Sequence, residues 1–379
     1  MTGSTSVTPS TPVPGVLPPA ASAGLPRVVD LLAARAEEHD RDATFPYQGV
    51  EAVHEAGLLT LTVGRRFGGD GAGLLDTVRV LAELGRGDAS VALLTAFTLL
   101  RHAEQDRTGS WPAALYRRLL TESRRGPALV NTAGTAPGAP VLARRTATGW
   151  RLEGRAAGCA GAEALAWVEV RAVTDEPQPR AGVFLLRGEC EGIEVDPVWD
   201  QLGLRASAGH DLVLAGAEVP ADRALGLRPL DAAAEPAEAL GTAWRDLALA
   251  AVQLGAGRAA RDWLVGAPGP HGAAALGELE SGLVGAEELL FGLAARIDAG
   301  QPEAVRRSGP VQLLATRAVL EAVRGAVELA GAAGLSRRQP LERQLRDVLS
   351  ARPHSRTPQS VLAQAGRAAL ARAPKPRGR

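Results

Sequence analysis

The chain has 379 residues, and its 42 basic side chains are balanced by 42 acidic ones, so the formal net charge at pH 7 is zero. Because there is no excess of positive charge, the composition argues against a protein that binds nucleic acid or an anionic membrane through charge alone. The length suffices for one large core or for two to three domains. Charged residues interrupt every Ala/Leu-rich segment before it reaches the roughly 18 apolar residues of a membrane-spanning helix.

Cysteine usage and the first residues bear on the location of the protein. Cys159 and Cys190 are 31 residues apart, and neither lies in a CxxC pair or at zinc-ligand spacing, so no metal site is predicted. A reducing, cytoplasmic location is the expectation. Residues 1–24 are rich in Ser, Thr, Pro and Ala and lack the basic start and apolar segment of a signal peptide, which predicts a disordered tail.

An N-terminal helical domain is predicted over residues 25–125. Apolar residues recur at helical spacing from Pro26 to Leu119, which fits three or four helices. The glycine-rich stretch from Gly64 to Gly73 is expected to interrupt them as a loop.

A middle β-domain is predicted over residues 126–226, where the pattern changes to short alternating apolar runs. The expected strands are residues 150–152, 167–173, 182–186 and 211–214. No helix of ten or more residues separates these runs, so an antiparallel barrel or sandwich is favoured. Residues 227–239 contain Pro229 and Pro236 and are expected to form a linker.

Residues 240–372 are expected to form a C-terminal four-helix bundle. Their Leu and Ala residues recur at helical spacing, and small side chains allow helix axes to approach closely. The candidate helices are residues 240–264, 274–299, 303–332 and 340–350, with a fifth at 359–371. The basic end, residues 373–379, is expected to be a disordered tail.

Specific motifs accompany this order of helices, strands and helices. The N-terminal part contains Ala56–Leu59, the glycine loop after Phe67, and the segment Leu81–Ala92. The middle part contains Trp199–Ser207, with a Gly-Leu-Arg core, and the C-terminal part contains the pair Arg346-Asp347. Taken together, these motifs resemble those of the acyl-CoA dehydrogenase superfamily.

The resemblance extends over residues 25–370 and implies an α+β multidomain fold, in which an N-terminal helical domain precedes a middle β-domain and a C-terminal four-helix bundle. It also implies a flavin, FAD or FMN, and a homodimer or homotetramer. In most members a glutamate beyond the Arg-Asp pair removes a proton from the acyl-CoA, but residues 355–357 are Ser-Arg-Thr here. Some relatives place this base on the first bundle helix, near Arg245. Asp246 is adjacent, but one residue along a helix points about 100° away.

His354 is the candidate catalytic residue. The sequence from Val348 to His354 looks more like the monooxygenase branch, typified by dibenzothiophene monooxygenase, in which a histidine at this point faces the flavin. A neutral or switching imidazole suits proton delivery to a peroxide oxygen near pH 7. A second histidine of that branch would fall at Thr98. The alternative for His354 is an ordinary loop histidine after Pro353.

Five residues are candidate cofactor contacts by the same resemblance. Asn131 and Thr132 stand where the family has its first flavin loop, and Cys159 stands in the second, whose stacking aromatic residue is missing. Arg205 and Ser207 belong to the Gly-Leu-Arg segment. The simpler alternatives are a small apolar core residue for Cys159 and a structural ion-pair partner for Arg205. Residues 264–275 lack the arginine that relatives use to hold the tail of FAD, so reduced FMN, or no flavin, becomes plausible.

Three functions remain open at this point. The first is a flavin-dependent oxidoreductase, a monooxygenase that uses reduced flavin from a flavin reductase and O₂ on a small molecule. The second is an acyl-CoA dehydrogenase whose base has moved to another position. The third is a flavin-free structural or regulatory relative without catalysis.

Overall fold

Three structural parts follow one another along the chain in the predicted order. The computed structural model describes residues 19–135, 140–230, 238–267 and 272–371. Within them, a layer of helices is followed by a sheet and then by a second set of helices. The predicted three-part fold is therefore confirmed. The predictions for residues 1–18 and 373–379 lie outside the described residues.

The described N-terminal part consists of five α-helices, of which the fourth is the central one. They are α1 (Pro19–Asp42), α2 (Tyr47–Glu55), α3 (Leu74–Gly87), α4 (Ala89–Thr108) and α5 (Ala113–Glu122). The predicted tail over residues 1–24 is too long, because α1 already begins at Pro19. Asp88 begins α4 by accepting hydrogen bonds from the backbone N–H groups of Ser90 and Val91, and most of this helix is buried.

The predicted glycine loop joins the first and last parts of the chain. The carboxylate of Asp298, at the end of the second bundle helix, accepts hydrogen bonds of 2.8 Å from the backbone N–H groups of both Leu74 and Leu75. It thereby satisfies free donors in the first turn of α3. A Cβ atom on Gly73 would lie 2.7 Å from this carboxylate, so a larger residue would displace the carboxylate from these hydrogen bonds.

The described part of the chain contains one sheet of eight strands. They are β1 (Leu129–Thr135), β2 (Val141–Arg145), β3 (Gly149–Cys159), β4 (Leu165–Thr174), β5 (Arg180–Arg187), β6 (Ile193–Asp196), β7 (His210–Pro220) and β8 (Ala224–Pro229). Their order is β6-β7-β3-β1-β4-β5-β8, and β2 also lies between β3 and β4. The prediction of a wholly antiparallel sheet is wrong, because β4 runs parallel to β1 and β2. No helical crossover is needed, since the antiparallel β3 carries the chain back first.

The C-terminal helices follow the predicted bounds closely. They are α6 (Ala239–Gly266), α7 (Ala273–Asp298), α8 (Pro302–Arg306), α9 (Ser308–Ala330), α10 (Pro340–Ser350) and α11 (Pro358–Ala371). The single helix predicted over residues 303–332 is divided at Arg307, between α8 and α9. Within the described residues, no helix is long and apolar enough to span a bilayer.

Two glycines bring α3 and α6 into backbone contact. A Cβ on Gly255 would lie 2.2 Å from the carbonyl oxygen of Ala82, and one on Gly85 would lie 2.5 Å from that of Val252. Side chains larger than hydrogen cannot occupy such positions without moving the helices apart. This contact fixes the N-terminal layer against the bundle.

We expect Gly255→Ala to lower the free energy of unfolding by about 1–3 kcal/mol, because the added methyl group overpacks the α3–α6 contact. Urea denaturation measures the change. Gly285→Ala is the matched control, since Gly285 lies in α7 with no neighbouring atom within 4 Å of the added Cβ. There we expect a gain of up to about 1 kcal/mol, because alanine favours helix. Equal stability of the two variants would show that the close contact is not rigid.

Candidate active site

A cleft of about 970 Å³ opens between the sheet, α4 and α6. This volume is at the upper end of the usual range for ligand pockets. All three parts of the chain contribute to its walls. Its side chains include Phe97, Leu100, Arg101, Glu104, Arg107, Asn131, Thr132, Glu169, Arg171, Val183, Leu225, Arg228, Glu238, Thr242, Arg245 and His354.

Direct docking of α10 onto the sheet domain determines one wall of this cleft. The backbone N–H of Leu204 donates a 2.7 Å hydrogen bond to Asp347 Oδ1, and that of Gly203 donates one of 2.8 Å to Ser350 Oγ. A Cβ on Gly203 would lie 2.3 Å from the backbone of Arg346. Because His354 is the last residue of the short 3-10 turn that follows α10, this docking places its ring at the cleft.

The imidazole of His354 is neutral at pH 7. Its ring centroid lies 6.1 Å from that of Phe97 and 6.4 Å from that of Trp199. Burial, with a smaller contribution from the cation of Arg245, lowers the pKa of His354 to about 4. Its Nε2 is buried and has no hydrogen-bond partner among the described residues. A buried nitrogen without a partner on the wall of a cleft is available to a ligand.

Asn131 and Thr132, the first predicted cofactor contacts, line the same cleft. The Asn131 side chain donates to the carbonyl oxygen of Ala160 at 2.9 Å and accepts from the backbone N–H of Thr132 at 2.8 Å. It thereby bridges β1 to the chain just beyond β3. The Thr132 hydroxyl donates a 2.7 Å hydrogen bond to Glu169, so its remaining lone pair can accept a bond from a ligand.

The other three predicted cofactor contacts lie away from the cleft. Cys159 is fully buried, and burial raises the pKa of its thiol to about 12, which fits a core residue. Ser207 is also fully buried. Arg205 donates to the carbonyl oxygen of Asp40 at 2.7 Å and pairs with Asp200 at 3.3 Å. Cys159, Arg205 and Ser207 are therefore absent from the described lining of this cleft, and their role as cofactor contacts stays a prediction.

Glu169 is a cleft residue that the sequence analysis missed. Its carboxylate is almost fully buried and accepts hydrogen bonds from Trp111 Nε1 at 2.8 Å, Thr132 Oγ1 at 2.7 Å and Arg101 Nη1 at 3.0 Å. A lone acid in the apolar strand β4 was visible in the sequence. Since buried carboxylates need charged and hydrogen-bonding partners, that acid could have indicated the network.

The position proposed for a relocated base carries a cation instead. Arg245 faces the cleft, with its guanidinium carbon 5.3 Å from the centre of the Phe97 ring. Asp246 is buried on the other side of α6, where it accepts hydrogen bonds from Ser308 Oγ at 2.7 Å and from Arg356 Nε at 3.1 Å. Burial raises the pKa of Asp246, while these two partners oppose the shift. Asp246 therefore stabilises the helix packing and does not reach the cleft.

The residues present fit the ring system of a flavin. Thr132 and Asn131 offer polar groups along β1, and His354, whose buried Nε2 has no partner among the described residues, lines the same space. Gly158, also on the cleft, has no atom within 4 Å of a built Cβ, so the wall beside it is open. The predicted absence of an arginine for the FAD tail concerns residues 264–275, of which 268–271 lie outside the described residues.

Comparison of the sequence with known families agrees with this architecture. Residues 28–110 match the N-terminal domain of acyl-CoA dehydrogenases, and residues 237–359 match their C-terminal domain, together more than half of the chain. The chain belongs to the acyl-CoA dehydrogenase family. The predicted resemblance is thereby confirmed.

Curated relatives include both acyl-CoA dehydrogenases and nitrososynthases by name. The putative acyl-CoA dehydrogenase YdbM of Bacillus subtilis is 28% identical over 347 residues, which are 85% of this chain and 89% of the relative. L-Evernosamine nitrososynthase of Micromonospora sp. is 32% identical over 255 residues, which are 63% of this chain and 60% of the relative. Relatives with differently named activities are therefore similar to this chain at comparable sequence identity.

Solved structures of two flavin-binding members superpose over nearly the whole chain. KijD3, in complex with FMN and a dTDP-linked amino keto sugar, has a TM-score of 0.83 at 27% identity and covers 96% of both chains. TdsC of Paenibacillus sp. A11-2, in complex with FMN and indole, has a TM-score of 0.83 at 22% identity and covers 94% of this chain and 98% of its own. The structural neighbours thus include the flavin-dependent monooxygenase branch.

We expect Glu169→Gln to lower the free energy of unfolding by about 2 kcal/mol, because a carboxamide cannot accept all three hydrogen bonds and leaves buried donors unpaired. The measurement is urea denaturation at pH 7. Glu104→Gln serves as the control, since Glu104 also pairs with Arg101 but is more exposed. Its removal should cost less than about 1 kcal/mol. Equal losses in the two variants would contradict a central role for Glu169.

Proposed function

We propose that the protein is a flavin-dependent monooxygenase that uses reduced flavin and O₂ to oxidise a small polar molecule. The observation that carries this proposal is the neutral, unpartnered imidazole of His354 on the wall of a cleft where the dehydrogenase glutamate is missing. A dehydrogenase needs a carboxylate base in reach of its substrate. The three glutamates of this cleft are already paired with arginines.

In this proposal, some residues of the cleft bind the flavin and one residue accepts a proton. A bound reduced flavin would supply the electrons that activate O₂. Asn131 and Thr132 would hold the edge of its ring through their polar groups. Because the pKa of His354 is about 4, its Nε2 is a proton acceptor at neutral pH and not a charged donor. His354 then takes the proton that a substrate nitrogen or other heteroatom loses as its new bond to oxygen forms, which differs from the proton delivery expected from the sequence.

The chemistry of the walls favours a polar substrate over a fatty acyl chain. Five arginines and three glutamates line the cleft, and burying them against methylene groups would be unfavourable. The names of the nitrososynthase relatives point to amino sugars, and KijD3 holds a dTDP-linked amino sugar. We extend the proposal to oxidation at an amino nitrogen. The acyl-CoA dehydrogenase alternative has no free carboxylate in the described cleft to support it.

The proposal includes partners that the chain itself does not provide. A separate flavin reductase would supply reduced flavin in the cytoplasm, where the free thiols of Cys159 and Cys190 remain reduced. A homodimer or homotetramer would cover apolar side chains on the outer face of the bundle, among them Leu314, Leu362 and Leu370. Light scattering of the purified protein measures the number of subunits.

Flavin binding is the first test of this proposal. We expect oxidised FMN to bind with quenching of its fluorescence, and Thr132→Val to weaken binding about tenfold, because the accepting hydroxyl is lost. Thr121→Val is the control, since Thr121 lies on the exposed face of α5 outside the cleft. A protein that takes up neither FMN nor FAD would contradict the proposal and support the flavin-free alternative.

The second test concerns His354 and pH. We expect His354→Gln to retain FMN binding but to reduce the rate of substrate oxidation by about 10² or more, because the proton acceptor is lost. The wild-type rate should be flat between pH 6 and 8 and fall towards pH 4, as Nε2 becomes protonated. Single turnovers with reduced FMN and a panel of dTDP-linked amino sugars, followed by mass spectrometry, measure both effects.

His54→Gln on α2 is the matched control for the loss of an imidazole outside the cleft, and its rate should equal that of the wild type. A rate that instead changes between pH 6 and 7, as for an ordinary histidine, would contradict the neutral acceptor. So would a His354→Gln enzyme of unchanged rate.

A further inference from the structure

The charges on the walls of the cleft do not balance. Arg101 pairs with both Glu104 and Glu169, and Arg107 pairs with Glu238 at 3.1 Å. Two arginines therefore engage the three glutamates that line the described part of the cleft. Some of the other cations on these walls have no carboxylate partner among the described residues.

Arg171 and Arg245 are two such cations. Neither has a carboxylate within ion-pair distance among the described residues, and both have side chains exposed to the cleft. Arg171 lies on β4 two residues after Glu169, so both side chains are on the same face of the sheet. Arg245 comes from α6 on the opposite wall. The pKa of Arg245 is lowered by burial and by the nearby cations of Arg101 and Arg171, which agrees with a shared space.

Two guanidinium groups that face one space repel each other unless an anion lies between them. Their planar forks match the oxygens of phosphate in geometry, and such charge-assisted hydrogen bonds are stronger than neutral ones. The stacking of Arg245 on Phe97 restrains its orientation before a ligand arrives. A dianionic phosphate ester or pyrophosphate would balance the two positive charges.

We infer that Arg171 and Arg245 form a phosphate-binding subsite of the cleft, and that the substrate is therefore a phosphate ester, such as a sugar nucleotide, and not a free amine. The assignment to the substrate rests on the proposed function, whereas the anion binding itself does not. FMN carries the same chemical group, so the experiment must distinguish the two sources.

Isothermal titration of the flavin-free protein with inorganic pyrophosphate tests the subsite directly. We expect Arg171→Gln and Arg245→Gln each to weaken binding about tenfold or more, which corresponds to the loss of a charge-assisted hydrogen bond. Arg117→Gln is the matched control, because Arg117 is an exposed arginine of α5 outside the cleft. Its affinity for pyrophosphate should equal that of the wild type.

Thermal unfolding separates lost binding from lost folding. Neither arginine has an ion-pair partner to lose within the described chain, so Arg171→Gln should melt at the wild-type temperature without ligand. Arg245→Gln, which loses its contact with Phe97, should melt only slightly below it. Pyrophosphate should then raise the melting temperature of the wild type and of Arg117→Gln by more than that of Arg171→Gln or Arg245→Gln. Arg245→Lys, which keeps the charge but loses the fork, should bind with intermediate affinity. Unchanged pyrophosphate affinity in both glutamine variants would overturn the subsite.

Titration with FMN and riboflavin identifies the source of the phosphate. If pyrophosphate binds the FMN-saturated protein as tightly as the free protein, the subsite belongs to the substrate, as proposed. If FMN displaces pyrophosphate, and the two glutamine variants weaken FMN but not riboflavin, the flavin phosphate is the occupant and the substrate assignment is overturned. Flavin uptake, measured in the same titration, tests the proposed function separately.

Discussion

The cleft depends on the short segment of the sheet domain that docks on α10. Leu204 has a positive φ of 54° there, a conformation that non-glycine residues rarely adopt, and its N–H group points at Asp347. Gly203 lies against the backbone of Arg346 so closely that no larger residue fits. Because the chain after α10 carries His354, a shift at this contact would move the imidazole relative to β1. The Gly-Leu-Arg and Arg-Asp motifs are thus two halves of one contact.

The same contact accounts for the position of Arg205. The side chain donates to α1 through the carbonyl oxygen of Asp40, whose carboxylate receives Arg346 in an ion pair of 2.6 Å. All three parts of the chain meet at this point. The Gly-Leu-Arg motif therefore forms a structural contact in this chain, while Asn131 and Thr132 of β1 line the cleft.

The sequence predicts an element of this structure well where its apolar pattern is long, and poorly where the pattern is short. The bundle helices were predicted within a few residues, because apolar periodicity over twenty or more residues outweighs local noise. The strands β1, β2, β6 and β8 were missed, since they are short or contain Gly, Ala and charged residues in place of alternating apolar ones. Parallel pairing was missed because the sequence does not reveal which strand is inserted between two others.

The motif after α10 was enough to select His354 from the sequence. The ion pairs of the cleft, in contrast, could be identified only from the three-dimensional structure. Arg101 has two carboxylate partners, whereas Arg245 has no carboxylate partner among the described residues, and nothing in the sequence distinguishes the two arginines in this respect. The same applies to Asp246, whose distance from the cleft follows from helix geometry, but whose bond to Arg356 spans 110 residues. Pairings over such distances depend on the fold.

The shared carboxylate of Glu169 connects two walls of the cleft. One of its oxygens holds both Thr132, on the side of the ring-binding strand, and Arg101, on the opposite wall. Because a single oxygen accepts both bonds, a substitution that moves Arg101 also changes the surroundings of the Thr132 hydroxyl. Glu169 thereby joins α4 to β1 across the cleft.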